Sequence, residues 1–375
     1  MVRVLHVIGA MDRGGAETMV MNIYRAIDRE QFQFDFLVHE DRACDYDEEI
    51  ESLGGRIYRV PRFNGLNLVS YSRACRKILS EHPEWHVVHG HIGSSAAVYL
   101  HEANKLGRYT IAHSHAKRYL QGASDVLFQV VSFPTRFVAD RFFACSEEAG
   151  VDRFGSRVVG SDRFEVVNNG IDLALYQCDE ADHERLKQEL GVEDAPAFVH
   201  VGRFEEVKNH RFLLETFARI QSLLPGAVLL LVGRGPLEED MRGYAVSLGI
   251  QDCVRFLGVR NDVPEILKGC DVFVFPSTSE GLAMAVVEAQ AAGLEVVASD
   301  GVPGLAIVTE GAYRIPLQLG AEAWAASCIE AYARSSARKF HDRAFEVASH
   351  GFDISNVAAH MEDVYRAADR FASSR

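Results

Sequence analysis

Two doubly wound parallel sheets, an α/β class, follow from three features of the sequence. Short β-branched runs alternate with helical patterns, that rhythm occurs twice, and 375 residues suit two domains better than one. In the first half the strand signals are VRVLHVIG, followed by a helix from about Ala16; FQFDFLVH, followed by DEEIESLGG; and HVVHGHI, followed by a helix over SSAAVYLHEANKLG. TIAHSH, FFACS and FEVVNNGI complete that half. The second half repeats the rhythm with AFVHVGR, AVLLLVG, VRFLG, DVFVFP and LEVVAS. The tail ISNVAAHMEDVYRAADRF places apolar residues at i, i+3, i+4 and i+7 and reads as a helix.

Strand signals stop in the charged stretch from Gln177 to Asp194, which puts the junction near Ile171 to Tyr176. The expected organisation is an N-terminal Rossmann-like domain over 1–173, a C-terminal one over 174–355, and a helix over 356–375 returning toward the first. Open parallel sheets bind ligands beyond the carboxyl ends of their strands. The expected site is therefore a cleft between the domains, and residues just after strands carry the most weight.

Acids outnumber bases 53 to 39, a formal charge of -14, so no global electrostatic case for nucleic-acid binding exists. The imbalance is uneven: 20 Lys+Arg stand against 23 Asp+Glu over residues 1–175, which leaves 19 against 30 for the rest. Seven scattered cysteines without a CxxC pair argue against a disulfide framework or zinc knuckle and for a reducing compartment. No apolar run approaches the roughly 20 residues needed to span a bilayer, and VRVLHVIGA runs into charged MDRGG rather than a cleavage site. A cytoplasmic protein is expected, with a place at the inner face of the membrane left open.

Five features carry candidate chemistry. VGRFEEVKNH sets Gly202 and Arg203 at a strand end and Lys208 five residues later, ahead of a helix beginning near Asn209. Two cations beside a helix start suit a diphosphate; the alternative is that both pair with acids such as Glu205 and Glu206. GAMDRGGAETMV follows the first strand, and Gly14-Gly15 would let amides approach an anion, although the order Gly9, Gly14, Gly15 is not G-x-G-x-x-G and a plain tight turn fits as well. His89 and His91, and His113 and His115, end two strands with period two. A histidine-ligated metal, an isolated catalytic or substrate-binding histidine and a satisfied structural histidine all remain open, and no carboxylate accompanies either pair. The triplet Asp45-Tyr46-Asp47 could hold a divalent metal, but in CDYDEEIES it reads as the first turn of a surface helix.

The fifth, EGLAMAVVE, sets Glu280 and Glu288 at the ends of an apolar stretch after DVFVFP. Glu280 is expected in the loop and Glu288 two turns into the helix GLAMAVVEAQAAG, roughly 10 Å apart along the chain at the helical rise. That is too far to share one proton. The small residues between permit close approach of helix-start amides to a ligand; the alternative is a buried helix with one acid as its cap and the other bonded to backbone.

In order and spacing, VVNNGID, VGRFEEVKNH, LLLVGRGPLEEDM, VRFLGVRNDVPEILKGCDVFVFPSTSEGL and the E-x7-E element resemble glycosyltransferase family 4, retaining enzymes of GT-B architecture. GGAETMVMNIYRAID, FQFDFLVH, DYDEEIESLGGRIYRVP, IAHSHA and FACSEEAG look like its bacterial exopolysaccharide and capsule subgroup. The resemblance implies a sugar transferred from a nucleotide diphosphate, UDP foremost, to a hydroxyl of a lipid-linked or oligosaccharide acceptor, with no metal or other cofactor. It implies that Arg203 and Lys208 bind the diphosphate, Glu288 the ribose and Glu280 the transferred sugar, with Arg260 near the base. It also implies that amides of Gly281, Leu282, Ala283 and Met284 line the phosphate pocket, that Gly14-Gly15 lies where donor meets acceptor, and that His115, or else His113, touches the sugar. Ala283 departs from the family's commoner glycine and from the proline frequent in the subgroup, and it keeps an amide that proline lacks.

On the predicted helix LVSYSRACRKIL, Arg73, Arg76 and Lys77 share a face and could meet an anionic membrane, or form an ordinary solvated face. Rival functions are a nucleotide-sugar 2-epimerase or hydrolase of the same fold and a metal hydrolase built on the histidines.

Overall fold

The computed structural model describes residues 1–115, 123–337 and 343–374, the side chains of 123–127 and 336–337 excepted. The chain divides into two compact units, Met1–Ile171 with Phe352–Arg375, and Asp172–Gly351.

The first unit is built on seven parallel strands: β1 (Val2–Val7), β2 (Phe32–Val38), β3 (Arg56–Arg59), β4 (Trp85–Gly90), β5 (Tyr109–Ser114), β6 (Arg141–Ala144) and β7 (Phe164–Val166), in the order β3-β2-β1-β4-β5-β6-β7. Central strands are apolar on both faces because both are covered. Val4, Phe34, Phe36 and Val87 pack on one side with the helix Gly15–Ala26. Leu5, Val7, Trp85 and Val88 pack on the other with helices Leu68–Glu81 and Ala96–Lys105. The C-terminal helix Ile354–Ser373 lays Val357, Met361 and Tyr365 into the first of these cores, and the Asp353 carboxylate caps its start.

The second unit carries six parallel strands: β8 (Ala197–Val201), β9 (Val228–Val232), β10 (Val254–Gly258), β11 (Val272–Phe275), β12 (Glu295–Ser299) and β13 (Ala312–Ile315), in the order β10-β9-β8-β11-β12-β13. Strands β8 and β11 pair only at Phe198/Val272 and Val199/Phe273. Beyond that ladder the buried His200 Nδ1 lies 2.8 Å from the Val274 carbonyl and supplies a side-chain partner for it.

Two strands, β3 and β13, lie outside the predicted set. Each is four residues long, an edge strand, and mixes Arg with apolar residues (RIYR, AYRI), so neither shows the continuous apolar run of a buried parallel strand. The polar stretch beginning at Gln177 is not bare linker: Glu180–Glu189 form a helix whose start is capped by Asp179, with Leu186 as its buried contact.

Candidate active site

The second unit gathers Lys208, Ser277 and Glu280 where β8 and β11 end. Lys208 follows β8 in a short 3-10 turn, Glu206–Lys208, and its stem packs against Gly202, where an added Cβ would stand 3.4 Å from the lysine Cδ. Lys208 Nζ donates to Glu280 Oε1 at 2.6 Å and lies 4.9 Å from the Phe275 ring centroid. Ser277, absent from the expected set, donates its hydroxyl to the same Glu280 oxygen at 2.5 Å. The loop is held from behind by the Thr278 amide on the Val207 carbonyl (2.8 Å) and the Glu280 amide on the Gly301 carbonyl (3.0 Å). Lys208 thus meets Glu280, and not Glu205 or Glu206, because strand order rather than sequence distance chooses its neighbour.

Arg203 is different. It is exposed and paired with Glu205 at 3.0 Å, as the alternative reading allowed. Arg260 is likewise exposed on its loop and grips Asp262 through two nitrogens, one at 2.7 Å.

The helix after β11 begins at Met284, later than predicted, so Glu288 stands a little over one turn into it rather than two. Its cap, Ala283, adopts a left-handed conformation (φ 58°, ψ 59°), and no side chain caps the helix. That backbone is one glycine takes without strain and proline cannot take at all. Glu288 is half-buried and has no cationic partner among the described residues, and desolvation pushes its carboxyl up to about 7. Burial, and next the Glu288 charge, raise the buried Tyr176 hydroxyl well above its ordinary range.

In the first unit the two histidine pairs converge, and a fifth histidine that sequence reading passed over joins them. His6 on β1 is in register with His89 on β4, and β5 brings His113 alongside. His6 Nδ1 lies 3.0 Å from His91 Nε2, and His91 Nδ1 lies 2.7 Å from His115 Nε2. A second chain runs from the Tyr365 hydroxyl to His89 Nδ1 (2.8 Å) and from His89 Nε2 to His113 Nδ1 (3.2 Å). Desolvation holds every ring neutral: His6 falls to about 3 and His115 to about 4, while His89, His91 and His113 lie well below the ordinary value. The signal that could have found His6 was present, a histidine one residue before the end of an apolar strand.

The remaining candidates are placed as follows. Gly14 caps the Gly15–Ala26 helix with an extended backbone, and nothing lies within 4 Å of where a Cβ would stand on Gly15, so neither glycine is required by its conformation. Asp45 accepts the Arg13 amide and Asp47 opens the short helix Asp47–Ser52. The Arg73, Arg76 and Lys77 face is not a free cationic stripe. Arg76 bonds the buried Glu102 at 2.6 Å and Lys77 lies 3.9 Å from Glu81, which leaves Arg73 as the member with no ion pair among the described residues. All seven cysteines are free thiols.

Two all-parallel, doubly wound sheets in one chain, each with candidate residues gathered at its strand ends, define the GT-B class of fold. Anabaena HepE in complex with UDP-glucose shares it, with a TM-score of 0.80 over 98% of this chain and 100% of that chain at 19% identity. The family described as Glycosyltransferase Family 4 matches residues 13–175, and that described as Glycosyl transferases group 1 matches residues 182–339. A Bacillus subtilis protein described as a glycosyltransferase, EpsF, is 36% identical over 378 residues, 97% of this chain and 96% of that one. The Escherichia coli UDP-Gal:alpha-D-GlcNAc-diphosphoundecaprenol alpha-1,3-galactosyltransferase is 34% identical over 142 residues, 37% of each chain. The chain belongs to glycosyltransferase family 4 and is a hexosyltransferase-type enzyme.

Proposed function

We propose that the protein transfers a hexose, with retention, from a UDP-sugar to a hydroxyl of a lipid-linked glycan in exopolysaccharide or capsule synthesis. The observation that carries this reading is the Lys208–Glu280 contact beside the uncapped start of the Met284–Ala291 helix. A diphosphate entering there finds an ammonium group, helix-start amides and the positive end of the helix dipole. Displacing Glu280 from Lys208 frees the carboxylate for hydroxyls of the sugar, while Glu288, protonated up to about pH 7, can both donate to and accept from ribose hydroxyls. Gly202 lets the Lys208 stem lie close, and the amides of Gly281, Leu282, Ala283 and Met284 face phosphate.

The bond from the anomeric carbon to the phosphate oxygen breaks as the acceptor oxygen bonds to the same face, through an oxocarbenium-like state. The departing phosphate oxygen takes the acceptor's proton. Lys208 and, from the open surface, Arg203 stabilise the charge that develops on the leaving group. Glu280 positions the sugar and is not a nucleophile; His115 and Gly14-Gly15 of the first unit serve the sugar and acceptor, and Arg260 the base. No metal takes part in this step. The E. coli relative, whose name gives a UDP-sugar and a diphosphoundecaprenol acceptor, supports the donor and acceptor classes.

Membrane association at the inner face is part of the proposal. With Arg76 engaged by Glu102, it rests on Arg73 beside the exposed Leu66, Leu68 and Val69. Flotation with anionic liposomes should be lost on Arg73→Glu and unchanged on Arg76→Gln.

The test is a UDP-release assay over UDP-glucose, UDP-galactose and UDP-N-acetylglucosamine with and without a lipid-linked acceptor, with the product anomer read by NMR. Acceptor-dependent release, an α-linked product and an EDTA-insensitive rate are expected. Equal turnover without acceptor would point to the epimerase or hydrolase alternative, and a β-linked product would overturn retention.

A further inference from the structure

We propose that His91, His113 and His115 form a binding site for one borderline divalent transition cation, Zn2+ being the natural probe, in the first unit. One ring nitrogen from each lies within 4.8 Å of the other two. A tetrahedral zinc with bonds of 2.0–2.1 Å needs ligand nitrogens about 3.3 Å apart. The His91 Nδ1 to His115 Nε2 distance of 2.7 Å and the 4.8 Å bound fall on either side of that spacing, within reach of small ring rotations.

The outer shell favours this triad over the overlapping one of His6, His89 and His91. A ligating imidazole presents one lone pair to the metal and donates its other N–H to a fixed partner. His91 has such a partner in His6 Nδ1, on the Nε2 side. His113 has one in His89 Nε2, on the Nδ1 side, and His89 is in turn held by the Tyr365 hydroxyl. His113 Nε2 is buried and has no hydrogen-bond partner among the described residues, so it supplies the third ligand. Coordination through His115 Nε2 leaves that residue's Nδ1–H, which also has no partner, free to donate to a hydroxyl. The site therefore coexists with the proposed role of His115 on the sugar.

Three neutral imidazoles without a carboxylate select Zn2+, Co2+ or Ni2+ and disfavour Mg2+ or Ca2+, which require oxygen ligands. With two of the three rings half-buried, the fourth position is reachable by water.

The measurement is Zn2+ titration of the chelator-stripped full-length chain against a chromophoric competitor, with Co2+ absorption as the geometric readout and no nucleotide sugar present. One equivalent per chain, a tetrahedral Co2+ spectrum and a Zn2+-dependent rise in Tm are expected. His6→Phe, which removes only an outer partner, should weaken binding by about tenfold, and His91→Asn and His115→Gln, which remove ligands, should each weaken it by more than that. His101→Asn, at an exposed site on a different element, should leave it unchanged. Absence of stoichiometric binding by the wild-type chain, which needs no variant to fold, overturns the proposal. Abolition by His6→Phe with His115→Gln unaffected would move the ion to the other triad and overturn it equally.

Discussion

Both units end their central strands in polar side chains, yet one end is charged and the other neutral. Where β8 and β11 stop, an ammonium meets a carboxylate at 2.6 Å beside an uncapped helix start; where β1, β4 and β5 stop, five neutral imidazoles meet one another. His6 and His200 sharpen the contrast, each one residue before the end of the first central strand of its sheet. His200 gives its Nδ1 to the Val274 carbonyl and only packs edge-on against His210 (ring centroids 4.8 Å apart), whereas His6 Nδ1 is hydrogen-bonded to a second imidazole, that of His91. The same topology thus presents a charged lysine–glutamate pair in one unit and a desolvated cluster of hydrogen-bonded imidazoles in the other. What differs is not the fold but the residues placed at each strand end.

The largest test of this comparison is Lys208→Ala. Loss of a preorganised charge from developing negative charge costs about 3–4 kcal/mol of barrier, so kcat/KM should fall by roughly 10²–10³. Glu280→Gln with activity near wild type would sink the assigned role of that carboxylate. Next comes His200→Ala, read by denaturant unfolding: a buried cavity together with an orphaned Val274 carbonyl should cost about 2–3 kcal/mol. An unchanged midpoint would mean His200 is not structural, and the contrast with His6 would fail.

A smaller effect is expected at Glu288. Its folded carboxyl titrates near 7 against an ordinary 4.5, so the folded state holds the proton more tightly. The stability this contributes is complete below about pH 4.5 and lost as pH rises through 7. Glu288→Gln should match wild type at pH 4 and exceed it at pH 8 by about 1–2 kcal/mol, allowing for the residue's partial exposure, while weakening UDP-sugar binding. Equal pH profiles would show the carboxyl to be solvated. The least effect belongs to Ala283→Gly, which relieves a left-handed backbone and should raise stability by up to about 1 kcal/mol; Ala283→Pro cannot keep φ at 58° and should lose donor binding.

Much of this was legible in advance because it is local. Eleven strands announced themselves through continuous apolar runs, and the two that did not were short edges whose Arg residues face water. Lys208, Glu280 and Glu288 stood out because strand ends in a parallel sheet are where ligands bind. Ser277 and Tyr176 gave no such signal: a serine in STSEG and a tyrosine near a domain junction are common, and only their neighbours set them apart. Arg76 misled for the same reason. Helical spacing placed it with Arg73 and Lys77, but spacing is blind to Glu102, which another helix delivers beneath it.

By itself the sequence determined the α/β class, the repeated parallel-sheet pattern and the chemical type of each strand end, since period, propensity and β-branched runs act over a few residues. Tertiary structure decided the partners. Lys208 meets Glu280 across 72 positions because β11 lies beside β8. His6 joins His91 across 85 because β1 lies between β2 and β4. Strand order and register are set by the whole buried core, and no local stretch encodes them.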